Sequence, residues 1–134
     1  MPEQVPSPFK AIQRVDYTVI FVRDMAAMKG FYENIMQFTV TRTLSADWIE
    51  YQLGPNTLVL SRPGRTATDP PVPAQTAALQ LAFKVGAEQV DACAAELEKK
   101  GVTIMSGPTD HAFGHRTVFF RDPDGNLLEI YAEI

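Results

Sequence analysis

Two stretches of this chain run through the same order of elements, and that duplication constrains the fold more than any single motif. Residues 14–23, "RVDYTVIFVR", are rich in β-branched and aromatic residues and predict a strand. Asp24 follows as an N-cap, and Met25, Met28, Phe31 or Tyr32, and Ile35 recur at helical spacing. Three extended runs come next, "FTVTRTL", "DWIEYQL" and "TLVLS". Residues 62–76, "RPGRTATDPPVPAQT", hold four prolines and predict a linker with no strand or helix of its own. Then the order restarts. "ALQLAFKV" predicts a strand, and Val90, Cys93, Ala94 and Leu97 mark a helix that stops at Gly101. "VTIM", "HRTVFF" and "NLLEIYAEI" predict three further strands, and "GPTDHAFG" a loop holding His111. The expected organisation is one domain of two βαβββ modules, about 14–62 and 77–132, in the α+β class with mixed sheets.

The closing hairpin can be read residue by residue. "DPDG" places proline at the second position of a type I turn, with Gly125 free to take a left-handed bulge conformation. That turn pairs Asp122 with Asn126, Phe119 with Glu129 and Thr117 with Tyr131. Val118, Phe120, Leu128 and Ile130 then share an apolar face that must cover the helices. Glu129 and Tyr131 point to the opposite face.

Composition narrows the function classes. At 134 residues the chain can build a core without disulfides, and a net charge of −4 argues against nucleic acid, which needs a basic stripe. Cys93 is the lone cysteine, no apolar run approaches the ~20 residues of a membrane span, and "MPEQVPSPFK" lacks signal-peptide character. A cytoplasmic protein with no membrane or nucleic-acid partner is expected.

Two such modules, with "FYENIMQF" on the first helix and "FFRDPDGNLLEIY" at the end, resemble the vicinal oxygen chelate superfamily. This group contains glyoxalase I, bleomycin resistance proteins and extradiol dioxygenases. In "FYENIMQF", Met36-Gln37 replaces the family's usual Leu-Gly. The resemblance implies modules joined edge to edge, their sheets curled into a half-open mixed β-barrel with helices outside. The face away from the helices then lines a cavity, and a homodimer is implied, with modules paired within a chain or exchanged between chains.

Metal-dependent members of the family place ligands at positions that correspond here to Tyr17, Val59, Gln80 and Glu129. Glu129 is a ligand type, Gln80 a weaker one, Tyr17 a rare one, and Val59 has no donor. A catalytic divalent site needs three protein ligands and an open position. His115, opposite Glu133 in the predicted register, lies about 13 Å along the sheet from Glu129. The expectation is therefore no cofactor, with a divalent metal on Glu129 and Gln80 as the alternative. A hydrogen-bonded polar pair at the module junction explains Gln80 and Glu129 equally well.

Strand alternation gives the rest of the cavity face: Tyr17, Val19, Phe21, Trp48, Glu50, Gln52, Gln80, Ala82, Lys84, Thr117, Phe119, Glu129 and Tyr131. Of these, Tyr17, Phe21, Trp48, Glu50, Gln80, Phe119 and Tyr131 are the candidate ligand-binding residues, an aromatic wall with a few polar groups. Trp48 fits a core position equally well. Three readings follow: a small organic molecule bound without metal, a metal-dependent lyase or dioxygenase, or a metal-free lyase or isomerase using Glu129 as base beside Tyr17. The last draws on the general rule that a carboxylate in a partly buried setting can act as a base beside a carbonyl.

Overall fold

A computed structural model describes residue 5 and residues 7–64 and 67–134. A 3-10 turn at Pro8–Ala11 precedes β1 (Thr18–Phe21) and the helix α1 (Met25–Gly30), which passes into a π-helical turn at Phe31–Ile35. Strands β2 (Thr39–Ser45), β3 (Trp48–Leu53) and β4 (Asn56–Ser61) follow. After the linker come β5 (Gln80–Lys84), α2 (Val90–Lys99), β6 (Ile104–His111), β7 (His115–Arg121) and β8 (Leu127–Glu133). The strands form two four-stranded mixed sheets, ordered β1-β4-β3-β2 and β5-β8-β7-β6. The tandem α+β modules are thus present, with the same strand order in each, and the sheets are not closed into a barrel.

One face of each sheet enters a single shared core. Ile20, Ile49, Tyr51, Leu58 and Leu60 from the first sheet join Val118, Phe120, Leu128 and Ile130 from the second. Met25, Met28, Phe31 and Tyr32 fill it from one module, and Val90, Ala94 and Leu97 from the other. Each large side chain so enclosed contributes roughly 1.5–3 kcal/mol. Rings meet across the modules: Phe31 lies 6.4 Å from Phe120, and Phe38 lies 5.6 Å from Phe83.

The first helix departs from simple α periodicity. Either Phe31 or Tyr32 was expected on the core face, but both are buried. A regular α-helix separates neighbours by about 100°. The π-turn, closed by Met36 N–H donating to Phe31 O at 3.0 Å, widens the spiral so that both rings face inward. Gln37 then exits at φ 57°, the left-handed region where the family's glycine would sit without strain.

Beyond the rings, a buried polar network ties the modules together. Asp124 accepts the N–H groups of Arg23 (2.7 Å) and Asp24 (3.1 Å), at the start of α1. The Arg23 Nη2 donates to the carbonyls of Thr76 and Asp124. Asp122 Oδ1 accepts the Asp124 and Asn126 N–H groups, and its Oδ2 accepts the Tyr32 hydroxyl and Asn126 Nδ2. Arg121 and Arg116 have structural partners, Arg121 on the Gly125 carbonyl and Arg116 between Asp91 and Asp110.

Candidate functional site

The register of the last hairpin is the one its turn predicts. Phe119 pairs with Glu129, Thr117 with Tyr131 and His115 with Glu133, while Asp122 N–H donates to Asn126 O at 3.1 Å. Glu129 and Tyr131 therefore occupy the face turned away from the core. On the first sheet, Glu50 pairs with Val59 and Val59 with Val19, so these three form a row on the corresponding face. Trp48, Ser61 and Phe21 form the row beside it.

The candidate residues gather in two groups. On the first sheet, Trp48 Nε1 donates to Glu50 Oε2 at 2.8 Å, and the Tyr17 and Trp48 rings meet edge to face at 6.1 Å. Trp48 is therefore a half-buried member of the outer face rather than a core residue. On the second sheet, Gln80 Nε2 lies 3.5 Å from Glu129 Oε1, Phe119 faces Glu129, and Tyr131 is two residues along the same strand. No hydrogen bond, ion pair or ring contact joins the two groups among the described residues.

Both groups are open. Tyr17 is 51% and Phe21 43% exposed, and Trp48, Glu50, Phe119, Glu129 and Tyr131 are half-buried. Two cavities border part of the first group. One of about 330 Å³ has Val19, Phe21, Arg23, Pro70, Pro71 and Leu79 in its walls. Another of about 240 Å³ has Tyr17 and Thr18 on one side and Leu81 to Phe83 on the other. Each has β1 on one wall and the region of β5 on the other.

The four positions implied as metal ligands do not form one donor set. Gln80 and Glu129 are neighbours, Tyr17 is in contact with Trp48 on the other sheet, and Val59 is hydrocarbon and only 1% exposed. Among the described residues no three His, Cys, Asp or Glu side chains gather at metal-holding distances. His111, expected in a loop, is instead the last residue of β6 and pairs with His115. Two irregularities in the β6–β7 ladder, between Ile104 and Thr109, let the strand continue through Gly107 and Pro108. His111 Nε2 lies 2.8 Å from Thr117 Oγ1, and both histidines stand at the far end of the sheet from Glu129. Of the four positions, Gln80 and Glu129 are the two the fold brings together.

Sequence reasoning missed how the histidines and Phe113 are used. The rings of His111, Phe113, His115 and Tyr131 follow one another at 5.1, 5.1 and 4.5 Å along the outer face. The signal was an H-x-x-x-H spacing around "AFG", readable only once β6 is known to reach His111.

The fold has known counterparts. Virulence protein STM3117 of Salmonella typhimurium is 25% identical over 122 residues, covering 89% of this chain and 83% of that protein. A glyoxalase/bleomycin resistance protein/dioxygenase from Nocardioides superposes with a TM-score of 0.80 at 15% identity, over 92% of this chain and 85% of that one. TnmS3, an antibiotic binding protein from Streptomyces sp. CB03234, superposes with a TM-score of 0.71 at 27% identity, over 92% and 98%. The model of one family matches residues 14–130, which take in both modules. On that match the chain belongs to the Glyoxalase/Bleomycin resistance protein/Dioxygenase superfamily.

Proposed function

We propose that this protein binds a small organic molecule against the outer faces of its sheets, without a metal, as a homodimer in a reducing cytoplasm. The observation that carries the reading is the pairing of open aromatic walls with a donor set that stops at Gln80 and Glu129. Tyr17, Phe21, Trp48, Phe119 and Tyr131 supply apolar area, and Glu50, Gln80 and Glu129 supply the orienting polar groups. The likeness to TnmS3 at 27% identity supports a binding role, since that protein is an antibiotic binding protein.

The two separate groups support the homodimer. Each is half a site with one side open, and a second copy would close each over its counterpart. Sedimentation should therefore give a mass near twice that of one chain. A monomer at micromolar concentration would remove this part of the proposal.

A second reading, a metal-dependent lyase or dioxygenase, is favoured by one contact, the 3.5 Å approach of Gln80 to Glu129. Elemental analysis of protein purified without chelator separates the two. The expected result is metal well below one per chain, unchanged in Glu129→Ala and after incubation with nickel, zinc, manganese or ferrous iron. Near-stoichiometric metal that vanishes in Glu129→Ala would establish the second reading instead. In parallel, a thermal-shift screen of aromatic compounds should yield ligands that raise the melting temperature; a screen with no hits would count against the binding role.

A further inference from the structure

We infer that the segment ahead of β1 is an exchange arm, its apolar side chains seated on a second copy of this chain. The inference rests on the homodimer proposed above and names the residues that hold it, Phe9, Ile12 and Val15, with Lys10 beside them.

The arm has a defined shape and nothing of its own chain to rest on. Pro8 opens the 3-10 turn, and Ser7 Oγ accepts the Phe9 N–H at 3.2 Å. The Lys10 N–H donates to Ser7 O at 3.0 Å and the Ile12 N–H to Phe9 O at 3.1 Å. Among the described residues, the hydrogen bonds and the ion pair of residues 7–16 all close within that segment. Yet Phe9 is 78% exposed, Ile12 70% and Val15 81%. A single exposed apolar residue is ordinary; three within seven residues, on a segment that buries none of its side chains, are not. Holding a segment in one conformation costs chain entropy, and water supplies no apolar contact to offset it.

The spacing fits an extended contact. Phe9, Ile12 and Val15 recur every three residues, the repeat of both the 3-10 turn and polyproline II. Ile12, at φ −64° and ψ 124°, leaves the turn in extended form. A repeat of three lays side chains along one edge, where a single partner surface can cover them all.

Charge selects the partner. Residues 7–16 carry Lys10, Arg14 and Asp16, and Arg14 is held by Asp16 at 3.2 Å, so Lys10 leaves the arm positive. Residues 17–134 hold ten basic and fourteen acidic side chains. A basic, apolar arm thus complements the acidic body of its own kind, and the exchange is reciprocal, each chain giving one arm and receiving one. A buried aromatic side chain alone covers ~150–250 Å², so two arms supply a substantial share of the ~800 Å² per partner in a stable interface. The arm ends one residue before Tyr17, whose ring meets Trp48, so the clasped copy lies beside the open group on the first sheet.

Analytical ultracentrifugation tests this on wild type, Phe9→Ser/Ile12→Ser/Val15→Ser, Phe9→Leu/Ile12→Leu/Val15→Leu and Lys10→Glu, with circular dichroism on each. A photo-crosslinking p-benzoylphenylalanine at position 9 adds a direct readout. The expected result is a wild-type dimer whose dissociation constant rises tenfold or more in the serine variant and stays within about threefold in the leucine variant. Lys10→Glu should weaken it by about threefold at low salt. The spectrum should not change, and cross-linking should give a species of twice the chain mass. A dimer that the serine variant leaves within twofold would overturn the arm while leaving the homodimer intact. Cross-links confined to one chain, or a serine variant that loses its folded spectrum, would overturn the arm as well, since either would place it on its own chain. Lys10→Glu that tightens the dimer would overturn the charge argument. A wild-type monomer at micromolar concentration would overturn both the arm and the homodimer.

Discussion

The Tyr32 hydroxyl donates to Asp122 Oδ2 at 2.8 Å, joining the π-turn of the first module to the closing turn of the second. Both residues are buried, and burial together with the Asp122 carboxylate pushes the Tyr32 phenol far above its ordinary range. It therefore stays a protonated donor at any pH the fold survives. Tyr32→Phe removes the donor but leaves Asp122 Oδ2 with Asn126 Nδ2 at 3.0 Å. The expected cost is about 1–3 kcal/mol by urea denaturation, the range for a buried hydrogen bond to a charged acceptor. A loss below about 0.5 kcal/mol would mean that ring packing alone joins the modules here.

Gly125 occupies a position no other residue fits. Its φ is 96°, and a Cβ built there would sit 2.6 Å from the Cα and carbonyl carbon of Gln75. Both neighbours are backbone, held by Gln75 N–H donating to Asp124 O at 2.8 Å. Gly125→Ala should destabilise by about 2–4 kcal/mol, since left-handed strain and displacement of the linker add. Thermal melting checks this, and a near-neutral result would show that the linker can move away freely.

Asp124 gives the stability a pH signature. Burial raises its carboxyl above the ordinary aspartate range, and the Arg23 N–H and guanidinium only partly oppose that shift. The folded state then holds the proton more tightly than the unfolded chain. Its contribution is fully present below the unfolded value, about pH 4, and declines as pH rises through the folded value. The stability of wild type relative to Asp124→Asn should therefore fall between about pH 3 and neutrality, as measured by urea denaturation. A difference that grows with pH would show that pairing with Arg23 outweighs burial.

Gln37 is a left-handed residue with a side chain, its φ at 57°. Gln37→Gly should stabilise by up to about 1 kcal/mol, the relief of αL strain being partly offset by a freer unfolded chain. Loss of stability on that substitution would imply that the Gln37 side chain makes a contact worth more than the strain.

How much of this was legible in the sequence depends on the range of the interaction. The order of elements was legible, because β-branched runs, Asp24 as N-cap (its Oδ1 accepting Ala27 N–H at 3.0 Å) and helical spacing act over a few residues. The register of the last hairpin was legible too, since a "DPDG" turn dictates which residues oppose one another and alternation then assigns each to a face. That chain of local rules placed Glu129, Phe119 and Tyr131 together and kept His115 away from Glu129.

Tertiary structure decided the rest. Whether Phe31 or Tyr32 faces the core was settled by a π-turn that no local propensity requires, and the second module's Phe120 and Asp122 are among the partners that both residues meet. The extension of β6 through Gly107 and Pro108 depended on β7 as a partner, and it turned an unplaced His111 into one rung of a ring ladder. Local sequence encodes dihedral preference and face, which belong to a residue and its near neighbours. Which faces meet belongs to contacts between segments far apart in sequence, as with Tyr32 and Asp122, and only the folded chain brings those together.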